Sequence, residues 1–147
     1  MWRAARPDED EHIVAMCLEL YREDPGPAPI SPERMRHTLA VLRREPSRGR
    51  AVVLEIGQRP VGYALLIAFW SNELGGEVCE VDELFVAREH RSQGYGSSLF
   101  TAIERDDLWP VRPAAISLGV TLDNARARRL YERLGFAAVG ISMVRRL

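Results

Sequence analysis

Arg91-Ser92-Gln93-Gly94-Tyr95-Gly96-Ser97 decides the reading of this chain. An apolar, strand-like run, Glu83-Leu84-Phe85-Val86, leads into it, and a helix-like run, Ser98-Leu99-Phe100-Thr101-Ala102-Ile103-Glu104, leaves it. A strand, a glycine-containing turn and a helix start make an anion site. The first N–H groups of a helix have no partner within it, and the helix dipole adds partial positive charge there. Gly94 and Gly96 let the backbone approach a phosphate without a Cβ in the way. Arg91 offers a forked, charged donor. The segment reads as a pyrophosphate holder.

Two familiar phosphate loops do not fit. A dinucleotide fingerprint wants a third glycine where Leu99 stands, and it opens a βαβ unit, not the second half of a chain. A Walker-type loop needs a lysine, and all 20 basic side chains here are arginine. A second stretch, Asn124-Ala125-Arg126-Ala127-Arg128-Arg129-Leu130-Tyr131-Glu132-Arg133-Leu134-Gly135-Phe136, reads as a short capped helix. Asp123 or Asn124 suits its N-cap, and Gly135 suits the left-handed residue after its end. Ala127, Leu130, Tyr131 and Leu134 form one apolar face.

Arg-x-x-Gly-x-Gly on a strand-to-helix turn, followed by Asn, Leu-Tyr and Gly-Phe in that order, resembles the GNAT superfamily of N-acetyltransferases. The resemblance covers nearly the whole chain and is weakest in the first fifty residues. It implies acetyl-CoA as acetyl-donating cosubstrate, bound by Arg91, Ser92, Gln93, Gly94, Tyr95, Gly96 and Ser97 of the loop and by Asn124. It also implies that backbone groups of Leu84, Phe85 and Val86 hold the thioester carbonyl and pantetheine arm at a bulge. Tyr131 matches the position from which family members protonate the departing thiolate, which a phenol can do because its pKa lies near or above that of a thiol. A tyrosine that only packs against the cofactor is the competing reading.

Glu80-Val81-Asp82-Glu83 puts three carboxylates into a strand that is expected to be half buried. Carboxylates are poor strand formers and costly to bury alone, so at least one is expected to have a task. Simple alternation places Glu80 and Asp82 on one face, and Glu83 with Val81 and Phe85 on the other. The acidic pair resembles that of the polyamine- and thialysine-acetylating branches, which implies that Asp82 and Glu83 bind a cationic amine and take its proton, in an order left open. A solvated edge, or salt bridges to arginine, would also explain the cluster. Trp70 is a candidate to stack on a cation, with Asn72, Glu73 and Glu80 as further substrate contacts.

The remaining features bound the function. A chain of 147 residues with 46% apolar residues suits one domain, 1–147. A net charge of −1 gives no field for nucleic acid or anionic lipid, and no run reads as a leader or membrane span, so a cytoplasmic protein is expected. Cys17 and Cys79 make no disulfide framework, and His12, His37 and His90 lack metal-ligand spacing. The fold class expected is α/β, a mixed and mostly antiparallel sheet flanked by helices. Strands are predicted at 2–6, 51–56, 60–70, 78–86, 114–120 and 136–145, and helices at 8–23, from Ser31 to about Pro46, 94–107 and 124–134. The resemblance implies a small-molecule amine as acceptor and a homodimer. A protein or peptide N-acetyltransferase and a weakly catalytic acetyl-CoA sensor are the alternatives.

Overall fold

The three central strands of the sheet alternate between two different cores. In the computed structural model, which describes residues 1–105 and 107–147, five strands lie in the order β1-β2-β3-β4-β5: Trp2–Ala4, Gly49–Ile56, Arg59–Ser71, Gly76–Val86 and Ala115–Leu118. All neighbours are antiparallel except β4 and β5, which run parallel. Val53, Tyr63, Leu65 and Phe85 point into one core with Ile13, Val14 and Cys17 of α1 (Asp10–Glu23) and Met35, Leu39 and Leu42 of α2 (Pro32–Arg44). Their neighbours Val52, Leu54, Ala64, Leu66, Cys79 and Val81 point the other way, against Leu99, Phe100 and Ile103 of α3 (Tyr95–Glu104). The period of two along the strands thus sorts the apolar residues into two layers, each covered by helices.

Local signals set the helix limits. Ser31 accepts a hydrogen bond from the Arg34 amide at 3.2 Å, and Pro32 occupies the first helical position of α2. Asn124 caps α4 (Ala125–Arg133) by accepting from the Ala127 amide at 3.1 Å. The predicted first helix opens as a 3-10 turn at Pro7–Glu9 before α1 begins. The predicted helix 94–107 ends at Glu104, and its expected last turn includes Asp106, which lies outside the described residues. Cys17 and Cys79 are free and buried.

One predicted strand is absent. Residues 136–145 alternate as a strand should, but the structure forms none there. Phe136 packs against Phe100 at 5.1 Å between ring centroids, and beyond it Val139 and Ile141 stand 99% and 92% exposed. Alternation alone does not make a strand. A strand needs a ladder of backbone partners, and among the described residues nothing past Phe136 bonds its backbone to the sheet. For the same reason the apolar face of α4 is only half covered at Ala127, Leu130 and Tyr131, and Leu134 is exposed. Among the described residues no helix is long and apolar enough to cross a membrane.

Candidate active site

The sheet opens at one point. Leu65 pairs with Glu83 and Leu66 with Val81, so Asp82 is an extra residue with no partner on β3. The parallel pairing with β5 also stops there, at Val81 opposite Leu118. A β-bulge and the parting of β4 from β5 therefore coincide. Past the bulge, the far edge of β4 is open.

Register decides which backbone groups face that opening. The Ala87 amide donates to the Val61 carbonyl at 2.8 Å, so residues 83 and 85 exchange hydrogen bonds with β3, while Leu84 and Val86 turn theirs outward. The expected trio Leu84, Phe85 and Val86 is corrected accordingly. Phe85 gives its backbone to Tyr63, and its ring lies in the α1–α2 core.

The loop after β4 ends in the expected glycine-led helix start, but Arg91 does not stand where it was expected. Gly94 sits at φ 82°, where a Cβ would meet no neighbour but would strain the backbone, and Ser92 shares that left-handed region at φ 63°. The first intrahelical bond of α3 runs from the Ser98 amide to the Gly94 carbonyl at 3.0 Å. This leaves the amides of Tyr95, Gly96 and Ser97 without helical partners, and among the described residues no side chain caps them. Arg91, expected to reach a phosphate, is instead a strut. Its Nε donates to the Val86 carbonyl at 2.6 Å, its Nη2 to Glu23 at 2.7 Å, and its guanidinium lies 5.3 Å from the Phe85 ring centre. The cation that faces the loop from outside is Arg126, which donates to the Ser92 hydroxyl at 3.4 Å. Sequence reasoning missed it because nothing in the local pattern shows that α4 starts opposite the loop.

The bulge also overturns the expected facing of the carboxylates. An extra residue at 82 breaks the alternation, so Val81 enters the α3 core while Glu83 and Phe85 share the α1–α2 side. There Glu83 accepts hydrogen bonds from Tyr63 at 2.7 Å and Tyr21 at 2.9 Å, with the Cys17 sulfur 3.8 Å away. No guanidinium is among its partners in the described residues. Burial pushes the Glu83 carboxyl up, the two phenols draw it back down, and the charge of Asp82 adds to the rise. Asp82 is itself exposed, with protein packed around it. Burial there, and then Glu80, raise its carboxyl pKa as well. Glu80 accepts from Ser117 of β5 at 3.3 Å. Tyr63, Tyr21 and Cys17 were not singled out from sequence, because they lie 20, 62 and 66 residues from Glu83.

Tyr131 of α4 stands half buried, edge-on to Phe100 at 6.0 Å and to Phe136 at 5.9 Å between ring centroids. Burial raises its pKa, and the charge of Asp24 contributes. Asn124, expected at the cofactor, has both polar ends engaged: its oxygen caps α4, and its amide nitrogen donates to Asp24 at 2.9 Å. Asp24 also accepts from Thr121 at 3.0 Å and so joins the end of α1 to the start of α4.

The structure does not bring Trp70, Asn72 and Glu73 to this place. Trp70 pairs with Glu77 at the β3–β4 hairpin end and is 67% exposed. On β3 five residue steps separate Trp70 from Leu65, the partner of Glu83, roughly 17 Å at the usual rise. The expectation that this loop faces the same cleft is corrected, because both strands run too far past the opening. Among the described residues, no group of His, Cys, Asp and Glu is arranged to hold a metal.

An open strand edge beside an uncapped, glycine-led helix start suits a thioester cofactor with a pyrophosphate, and comparison with known proteins agrees. The family model described as "Acetyltransferase (GNAT) family" matches residues 14–136. An uncharacterised N-acetyltransferase of Methanocaldococcus jannaschii is 36% identical over 86 residues, 57% of this chain, which spans 37% of that relative's length. A possible acetyltransferase from Clostridium difficile 630 superposes with a TM-score of 0.82 at 21% identity, covering 100% of this chain and 96% of that one. The ribosomal-protein-alanine N-acetyltransferase of Brucella melitensis biovar Abortus 2308 superposes with a TM-score of 0.72 at 16% identity, covering 100% and 99%. Members of this family take their acetyl group from acetyl-CoA. With its motifs, its parted strands and its uncapped helix start all falling inside the matched span, the chain belongs to the GNAT family of acetyltransferases.

Proposed function

We propose that this chain transfers the acetyl group of acetyl-CoA to the primary amine of a small cationic molecule, by direct attack of the amine on the thioester. One observation carries the reading: Glu83, at the bulge, is a partly buried carboxylate held by neutral donors. With no cation beside it, it keeps its negative charge available to an ammonium group, and its raised pKa brings it nearer to that of a useful base. Glu83 is accordingly the base, and the more exposed Asp82, with Glu80 behind it, draws in the cationic acceptor.

The donor lies across the parted strands. Its pyrophosphate takes the amides of Tyr95, Gly96 and Ser97, with Ser92, Gln93, Gly94 and Arg126 around it. Its pantetheine arm takes the outward backbone groups of Leu84 and the outward amide of Val86. Attack by the amine builds negative charge on the thioester oxygen, which an outward amide of β4 stabilises. Collapse expels the thiolate, and Tyr131 supplies its proton. Arg91 and Asn124 act as positioning residues that hold the loop and α4. A homodimer is part of the proposal, supported by the exposed apolar residues past Phe136; a monomer in sedimentation at micromolar concentration would count against it.

The test is acetyl-CoA-dependent thiol release with a panel of polyamines, lysine analogues, aminoglycosides, amino acids and short peptides. Turnover concentrated on small polycations is expected. Turnover confined to peptides would reject the small-cation acceptor, and silence across the panel would reject it in favour of a protein substrate or a weakly catalytic acetyl-CoA sensor.

A further inference from the structure

The two oxygens of Glu83 have unlike surroundings. Oε2 accepts from Tyr63, which has 0% exposure, and faces the Cys17 sulfur, whose thiol is pushed up to about 11 mainly by burial. That side ends in the core. Oε1 accepts from Tyr21, near the last turn of α1. Tyr21 borders a cleft of about 520 Å³ with Leu18, Arg22, Pro25, Gly26, Ala28, Pro29 and Ile30, and Glu83 does not line it. The proline-rich turn fits closely over the ring: a Cβ on Gly26 would lie 3.4 Å from Tyr21 Cε1. One phenol therefore separates the cleft from the carboxylate.

We infer that Tyr21 relays the acceptor's proton from this cleft to Glu83, while Tyr63 only anchors the same carboxylate. The inference rests on the acyl-transfer reading above. The ammonium N–H bond breaks as its proton passes to the Tyr21 oxygen, and the Tyr21 O–H proton passes to Oε1 in the same step. The products are a free amine, an unchanged phenol and a neutral Glu83. The amine lone pair then attacks the thioester carbon. Neither phenol ionises on the way: burial first, and then the charge of Glu83, push both phenols well above their ordinary range. A concerted hand-over needs no phenolate.

The titratable groups facing Glu83 are Tyr21 and Cys17 from α1, Tyr63 from β3, and Asp82 beside it on β4. Both phenol bonds favour the ionised carboxylate, so removing either one raises the Glu83 pKa. The acid limb of kcat/KM against pH therefore moves upward in Tyr63→Phe and in Tyr21→Phe alike. Only loss of a relay also lowers the plateau above that limb.

The experiment is thiol release from acetyl-CoA by the full chain, with diaminopropane, phenylalaninamide and trialanine as acceptors, across pH. The Tyr21→Phe plateau should stay about tenfold or more below that of wild type and should also lie below that of Tyr63→Phe. Tyr21→His, which keeps a ring nitrogen able to pass a proton, should exceed Tyr21→Phe, although a packing role alone predicts the opposite order. A Tyr21→Phe plateau equal to wild type, or Phe outperforming His, overturns the relay. If Glu83→Gln turns over as fast as wild type, Glu83 is not the base and the relay falls while acyl transfer stands; if the wild type is silent with all three acceptors, the acyl-transfer reading itself falls and the relay with it.

Discussion

Two carboxylates of this fold, Glu9 and Glu83, are both withdrawn from water and are treated in opposite ways. Glu9, 4% exposed, is surrounded by cations: Arg3 donates to both of its oxygens, and Arg6 adds its backbone amide and its guanidinium. Arg3 also joins Glu55, which closes the network over β2. The hydrogen bonds from Arg3 lead in holding the Glu9 carboxyl down to about 2. Glu83 has only phenols and a thiol, and its pKa rises. Arginine neutralises a carboxylate and turns it into a clamp. Neutral donors fix its position and leave its charge unmatched, which costs stability unless a cationic ligand arrives.

Glu83→Gln is the strongest way to break this contrast. Catalysis should fall by about two orders of magnitude or more, as expected for loss of a general base, while the thermal midpoint holds or rises. The stability half follows from linkage. A carboxyl with a raised folded pKa is penalised increasingly as pH climbs from its unfolded value through its folded one, and the amide removes that penalty. A variant that melts early but turns over normally would make Glu83 a clamp like Glu9. Tyr131→Phe comes next: turnover should drop about tenfold to a hundredfold with acetyl-CoA binding retained, read by calorimetry beside steady-state kinetics.

Glu9→Gln should do the reverse. Although nearly inaccessible, Glu9 lies just under the surface, where its ion pairs are partly screened. A loss of about 1–2 kcal/mol is expected, seen as a midpoint a few degrees lower, with kcat unchanged. Because its pKa is lowered on folding, this contribution is present above the ordinary glutamate value near 4.5 and disappears as pH falls towards about 2. Acid titration of the wild type should lose that stability, and the variant should have none of it to lose. The smallest effect is expected from Trp70→Ala. With Trp70 roughly 17 Å along the sheet from Glu83, kcat/KM should stay within about twofold, and a larger drop would return that hairpin to the acceptor site.

Much of the scaffold was readable in the residues. Ser31-Pro32, Gly94, Asn124 and Gly135 act through their own backbone or their nearest neighbours, so local chemistry decides them. Asp82 is different. Whether it continues the alternation or interrupts it depends on how β3 and β4 pair, and one extra residue there moved Glu83 to the other core. The group that holds Glu83 was equally hidden, since Tyr21, Tyr63 and Cys17 converge only when a helix end and a neighbouring strand meet over the bulge. At the chain's far end, the period of Val139, Ile141 and Met143 described a strand, but the partner a strand requires is not a property of its own residues.

The last turn of α1 reaches three walls of the site within four residues. Tyr21 bonds Glu83, Glu23 bonds Arg91 of the phosphate loop, and Asp24 bonds Thr121 and Asn124 at the start of α4. Helix ends open far more often than sheet centres, and they do so without global unfolding. Here such fraying would release all three ties while both cores stayed intact. The working life of the site is thus governed by one turn of helix, and the prolines at 25, 27 and 29 that follow it restrict how far that turn can stray.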